Sequence, residues 1–124
     1  MRTQPYRQHL GKLGEDLACE ELRRRGYAIL TRRYRTRFGE LDIICAHLGV
    51  IVFVEVKARR TTRYGEAAEQ IPMWKRRRMA AMALDYLAWA EKLDRRCRFD
   101  VVAIDGIETA GQRIRVIQDA FPVR

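Results

Sequence analysis

Histidine is almost missing from these 124 residues: His9 and His47 are the only two. That excludes a metal centre of the imidazole-rich kind, since zinc sites draw three or four ligands from His and Cys. Cysteine offers no substitute. Cys19, Cys45 and Cys97 are far apart, odd in number and form no C-x-x-C pair, which argues against both a zinc site and a disulfide framework. Lysine is scarce too, at four of the 25 basic residues, the other 21 being arginine. Long apolar runs are lacking. The longest, residues 48–54, is cut off by Glu55 and falls well short of the roughly 20 residues a membrane helix needs. No apolar stretch follows Met1 to Pro5, so no signal peptide is expected, and a reducing cytoplasm is the expected location.

What is present is charge of one sign. The net charge of +9 is large for a chain this short, and it points to a polyanionic partner: nucleic acid first, an anionic membrane surface second. Arginine forks bind phosphate oxygens in pairs. The basic residues cluster at 23–25, 32–37, 59–63, 75–78 and 95–98. Hydrophobic residues make up 48%, enough for a core without disulfides, and one domain spanning residues 1–124 is expected.

Apolar periodicity predicts the elements. Leu10, Leu13, Leu17, Ala18 and Leu22 fall at helical spacing, so residues 7–25 read as a helix that Arg23-Arg24-Arg25-Gly26 brings to a stop. Glu20 with Arg24 and Glu21 with Arg25 are surface pairs at helical spacing. Strands are predicted at 27–34, 40–46, 50–58, 98–105 and 113–118, and a helix from Pro72 to about Leu93. In that helix Met79, Ala83, Tyr86, Leu87, Ala90 and Leu93 share one side; Trp89 is expected in or beside the core. The strand at 50–58 is apolar on both alternating faces, which marks it as central. The order is α-β-β-β-α-β-β. Short connections make the first three strands antiparallel; the helical crossover makes the fourth parallel to a neighbour.

Chemistry gathers around the end of that central strand. Glu55 and Lys57 share one face of it, after the apolar Ile51 and Phe53. Glu40 and Asp42 share a face of the preceding strand, and hairpin pairing can lay Asp42 beside Glu55. Glu15 stands on the first helix, turned partly toward its apolar side. Four carboxylates in a half-buried site repel one another and must protonate, pair or hold a metal. Lys57 supplies one charge, too little for all four. A hard divalent cation such as Mg²⁺ answers the need with oxygen ligands. Alone, a Glu-x-Lys on a strand is an ordinary surface pair; its co-occurrence with a strand acid, a hairpin and a basic domain gives it weight.

Gly39-Glu40-Leu41-Asp42-Ile43-Ile44 and Phe53-Val54-Glu55-Val56-Lys57-Ala58-Arg59 resemble the YraN family of small bacterial proteins, placed in the PD-(D/E)XK nuclease superfamily with Holliday junction resolvases and restriction endonucleases. Gly14-Glu15, Gly26-Tyr27, Arg98-Phe99-Asp100-Val101-Val102 and Ala120-Phe121 extend the resemblance over nearly the whole chain. One departure is Leu41, where the superfamily often has proline before the aspartate. The resemblance implies a restriction endonuclease-like fold, a mixed β-sheet flanked by helices. It also implies an Mg²⁺- or Mn²⁺-dependent endonuclease that hydrolyses DNA, branched DNA included. By the same resemblance Asp42 and Glu55 hold the metal, the Val56 carbonyl completes its site, Lys57 assists the chemistry and Glu15 is the helix acid of the resolvase branch. Glu40 belongs to the family signature with an open role, as a direct, water-mediated or supporting ligand. Gln70 and Lys75 are candidates for the polar helix residue that resolvases carry after the lysine. Resolvase relatives commonly dimerise, which implies a homodimer. Arg59 leads the phosphate-contact candidates, followed by Arg60, Arg63, Lys75 and Arg76, and Trp74 could stack bases. The competing expectation is a nucleic-acid-binding module that keeps a nuclease fold without turnover.

Overall fold

Val50–Arg59 (β3) is apolar on both faces over its first half, so its side chains need cover on each side. In the computed structural model, which describes residues 4–61 and 71–122, it has that cover. The chain order is α1 (Gln4–Arg24), β1 (Ala28–Thr36), β2 (Gly39–His47), β3, α2 (Met73–Trp89), β4 (Cys97–Asp105) and β5 (Arg113–Phe121). The sheet keeps that sequence, β1-β2-β3-β4-β5, with β3 in the middle. The first three strands are antiparallel, β3 and β4 are parallel across α2, and β5 returns antiparallel. This is the mixed sheet and the α-β-β-β-α-β-β order that periodicity predicted.

A core lies on each face. Ile51 and Phe53 pack with Leu41, Ile44, Phe99 and Val101 beneath Met79, Met82, Ala83, Tyr86 and Leu87 of α2. Val52 and Val54 pack with Ile43, Cys45, Val102 and Ile104 beneath Ala18, Cys19 and Leu22 of α1. Helix α1 ends as its sequence predicts. Gly26 sits at φ 91°, and the N–H groups of Gly26 and Tyr27 bond to the carbonyls of Arg23 and Leu22, each at 3.0 Å. The pairing expected between Glu20 and Arg24 goes instead to Glu21, which is buried and draws both Arg24 and Arg25.

Helix α2 is shorter than its periodicity predicts. It ends at Trp89 because Glu91 turns left-handed at φ 58° and the Lys92 N–H closes onto the Leu87 carbonyl at 2.7 Å. No glycine announces this stop. Leu93 therefore falls outside the helix and is exposed, and Trp89 is 73% exposed, its ring tilted against those of Tyr34 and Tyr86. Among the described residues no helix is long and apolar enough to cross a membrane.

Candidate active site

The β2–β3 ladder ends at the pair Ile43 and Val54, whereas β2 stays paired with β1 as far as Gly39. Beyond Ile43 the two strands part and leave a wedge. The parting coincides with a kink. Leu41 packs on the α2 face and Ile43 on the α1 face, although two residues apart they should share one face. The register places Arg33 opposite Asp42, and Arg33 adopts φ 54°, a conformation unusual for any residue but glycine. The kink leaves the Asp42 carboxylate at the mouth of the wedge. There its Oδ2 accepts a hydrogen bond from the Val56 N–H at 2.8 Å, in place of the ladder bond that β2 no longer supplies.

Other acids approach from both faces of the sheet. Val56 packs with the α1 core, so Glu55 and Lys57 lie on the α2 face. The Glu55 Oε2 accepts from Lys75 Nζ at 2.5 Å. Glu15 comes from the α1 side, where Gly14 permits close approach: a Cβ there would lie 3.3 Å from the Ala58 Cβ. Glu15 is buried, and its Oε1 accepts from Arg32 Nη2 at 3.1 Å and Arg33 Nε at 3.0 Å. Glu15, Asp42, Arg33 and Val56 line a cleft of about 730 Å³ between α1 and the end of β3.

Of the residues singled out from sequence, Asp42 and Val56 are in direct contact, and Glu15 shares their cleft. Glu55 follows Val54, the last β3 residue paired with β2. Lys57 is half-buried and its ammonium has no hydrogen bond or ion pair among the described residues. Glu40 stands apart. It is exposed near the β1–β2 turn and pairs with Arg35 at 3.3 Å, directly across the ladder. The expected convergence of four acids is thus not met: among the described residues no three His, Cys, Asp or Glu side chains are grouped to hold an ion. Arg76 turns inward, donating to the Ile71 carbonyl at 2.8 Å and lying over the Phe121 ring, which does not suit an outward phosphate contact. Arg60 pairs with Glu108 at 3.4 Å on the surface, and Arg59 is exposed. Arg63 and Gln70 lie outside the described residues.

Sequence reasoning placed Lys75 among the phosphate contacts and missed its bond to Glu55. A signal existed: Lys75 precedes the buried Met79 by one helical turn, so it lines the face that covers β3. For Glu15, its place on the apolar side of α1 signalled a cationic partner, Lys12 or an arginine; that Arg32 and Arg33 supply it depends on the fold.

Burial pushes the Asp42 carboxyl up from its ordinary 3.8 to about 7; the charges of Glu55 and Glu15 push it further the same way, while the Val56 N–H and Lys75 oppose them. Between these two values the native state binds more protons than the unfolded chain, so this group makes stability fall as pH rises from about 4 to about 7. Asn at position 42 keeps an oxygen for the Val56 amide and removes the charge. Without divalent ions, Asp42→Asn is expected to be more stable than the parent by on the order of 2–4 kcal/mol at pH 8 and by little at pH 4. Urea melts at the two pH values check this; an equal difference at both would contradict the assignment.

Such a crowded pair is suited to a hard cation. Mg²⁺ is commonly held by one or two carboxylates with waters completing its shell, and Asp42 and Glu55 are the residues here that would serve such an ion.

Fold and site together define a small α/β protein with a cleft at the end of its central strand, lined by Glu15, Asp42, Lys12 and Arg33. The chain belongs to the Uncharacterised protein family UPF0102, whose profile matches residues 14–104. Similar chains include a UPF0102 protein of Symbiobacterium thermophilum, 45% identical over 112 residues, covering 90% of this chain and 95% of the relative. Another, from Ralstonia pickettii, is 43% identical over 124 residues, covering 97% of this chain and 95% of the relative.

Proposed function

We propose that this protein is a divalent-metal-dependent endonuclease of the PD-(D/E)XK type, hydrolysing phosphodiester bonds in DNA. The observation that carries the reading is the bond from Asp42 to the Val56 amide at the point where β2 leaves β3, between Glu55 and Lys57 in sequence. It sets the Asp42 carboxylate against the Glu55–Val56 peptide at the open end of a central strand. Asp42 and Glu55 would hold Mg²⁺ or Mn²⁺. When bound, the ion would supply Lewis-acid stabilisation of phosphoryl charge and lower the pKa of a water. Lys57, with no partner among the described residues, orients the attacking water or donates to the phosphoryl oxygen on which charge develops. Glu15 and its two arginines shape the cleft wall beside Asp42. The basic surface supplies phosphate contacts that give affinity and salt dependence rather than sequence choice.

A second reading, a nucleic-acid-binding module without turnover, draws on the ion pairs that already neutralise Glu15 and Glu55. A cleavage panel of duplex, single-stranded, flapped and four-way DNA, with RNA alongside and with Mg²⁺, Mn²⁺ or EDTA, separates the two. Metal-dependent cutting of DNA is the expected result. Calorimetry should show uptake of Mn²⁺ that Asp42→Asn abolishes; no uptake with or without DNA, together with no cutting, would leave only the module.

A further inference from the structure

A charged and aromatic surface formed by the start of α2 and the β1–β2 turn takes no part in the metal and proton chemistry above. Trp74, in the first turn of α2, is 60% exposed, and Phe38, in the β1–β2 turn, is 39% exposed. Each carries a guanidinium over its ring, Arg78 over Trp74 and Arg37 over Phe38, both at 5.0 Å. The two halves meet: a Cβ built on Gly39, next to Phe38, would lie 3.9 Å from the Arg78 Nε and 3.5 Å from the Met82 Sδ. A shallow depression of about 570 Å³ lies at the turn, with Arg35, Arg37 and Phe38 in its wall. The surface lies on the same face of the sheet as Glu55, which Lys75, the residue after Trp74, reaches at 2.5 Å.

We propose that this surface is a stacking platform for an unpaired DNA strand, with Trp74 stacking a base and Arg78 and Arg37 framing it for the flanking phosphates. An exposed indole with a guanidinium over its ring is a poor apolar docking face, because the charge keeps it hydrated. It is a good face for a nucleobase, which brings a flat π surface and two phosphates together. Stacking of this kind needs a base whose face is free. A base inside an intact duplex is covered above and below by its neighbours; one in a single strand, a flap or a junction is not. The proposal rests on the nuclease reading for the DNA substrate, and it narrows that substrate to DNA unpaired beside the cut.

The test measures binding apart from cleavage. Full-length protein in EDTA is titrated against a fluorescein-labelled DNA strand of about 16 nucleotides, the matching duplex and the matching RNA strand. Trp74→Ala is expected to weaken single-strand binding by between about 5- and 150-fold, as removal of one stacking side chain does, and to change duplex binding far less. Trp74→Phe should keep most of the affinity, and Arg78→Ala should lose part of it with a shallower salt dependence. Circular dichroism checks that each variant folds. Equal single-strand affinity for Trp74→Ala and parent overturns the platform, as does an equal loss for strand and duplex. Tighter binding of the RNA strand overturns the choice of DNA. If Trp74→Ala weakens strand binding but the parent cuts nothing in Mg²⁺, the platform stands and the nuclease reading falls. If the parent cuts DNA and Trp74→Ala binds the strand unchanged, the reverse holds.

Discussion

Lys57→Ala is expected to lower metal-dependent cleavage by about 10²- to 10³-fold while leaving the fold intact, the usual cost of removing one donor that steadies transition-state charge. Lys57 has no side-chain partner among the described residues, so its loss leaves no buried acid unpaired. Stability should therefore stay near the parent's, within about 1 kcal/mol, as for substitutions that break no buried network. Glu55→Gln should abolish cleavage for a different reason. On the proposed reading it removes a charged metal ligand, and it takes the negative charge from the 2.5 Å pair with Lys75. The two variants are separable by calorimetry: Lys57→Ala keeps metal uptake and Glu55→Gln loses it. Parent-like cutting rates for both would remove Glu55 and Lys57 from any catalytic role.

The second large effect concerns stability. Asp100 on β4 is fully buried and anionic partners are absent from its contacts. Its carboxylate accepts from the Tyr27 hydroxyl at 2.7 Å, from Arg98 Nε and Nη2 at 2.9 and 3.1 Å, and from the Asp119 N–H at 2.9 Å. Arg98 is held in turn by His47 Nδ1 at 2.9 Å, and the His47 ring stacks on Tyr27 with centroids 4.0 Å apart. Gln118 closes the group by donating to the Tyr27 hydroxyl at 3.1 Å. The network ties the entry to β1, the end of β2, the start of β4 and the end of β5 at one point. Asp100→Ala leaves the Arg98 guanidinium without its carboxylate, and breaking a buried pair in this way costs about 3–5 kcal/mol. Domains hold about 5–15 kcal/mol in all, so the variant should melt roughly 10–20 °C lower or fail to fold. Thermal melts of Asp100→Ala beside Arg98→Met measure it. A melting temperature within a few degrees of the parent's would show that water replaces the carboxylate at little cost.

Part of the candidate site's geometry was legible in the sequence. Glu55 and Lys57 share a face because side chains alternate along a strand, and the apolar run before them identified β3 as central. Other parts were not. Glu40 and Asp42 read as neighbours on one face, yet Glu40 pairs with Arg35 on the surface and Asp42 turns into the cleft. Strict alternation fails there because of the kink opposite Arg33, whose left-handed backbone has no marker in an arginine. Glu91 hid the end of α2 in the same way. Gly26 and Gly49 stand where glycine is needed, and the stops they mark were where spacing put them.

Periodicity was sufficient for the element order and the central strand. These follow from local rules, alternation at a period of two or 3.6 residues and the conformational limits of glycine, which the chain carries wherever it folds. Which acid meets which cation came from packing alone. Lys75 on Glu55, Arg32 and Arg33 on Glu15, and the Val56 amide on Asp42 join residues 14 to 20 positions apart. Such pairings depend on where two helices settle on a sheet and where one strand leaves its neighbour, and no local pattern records that.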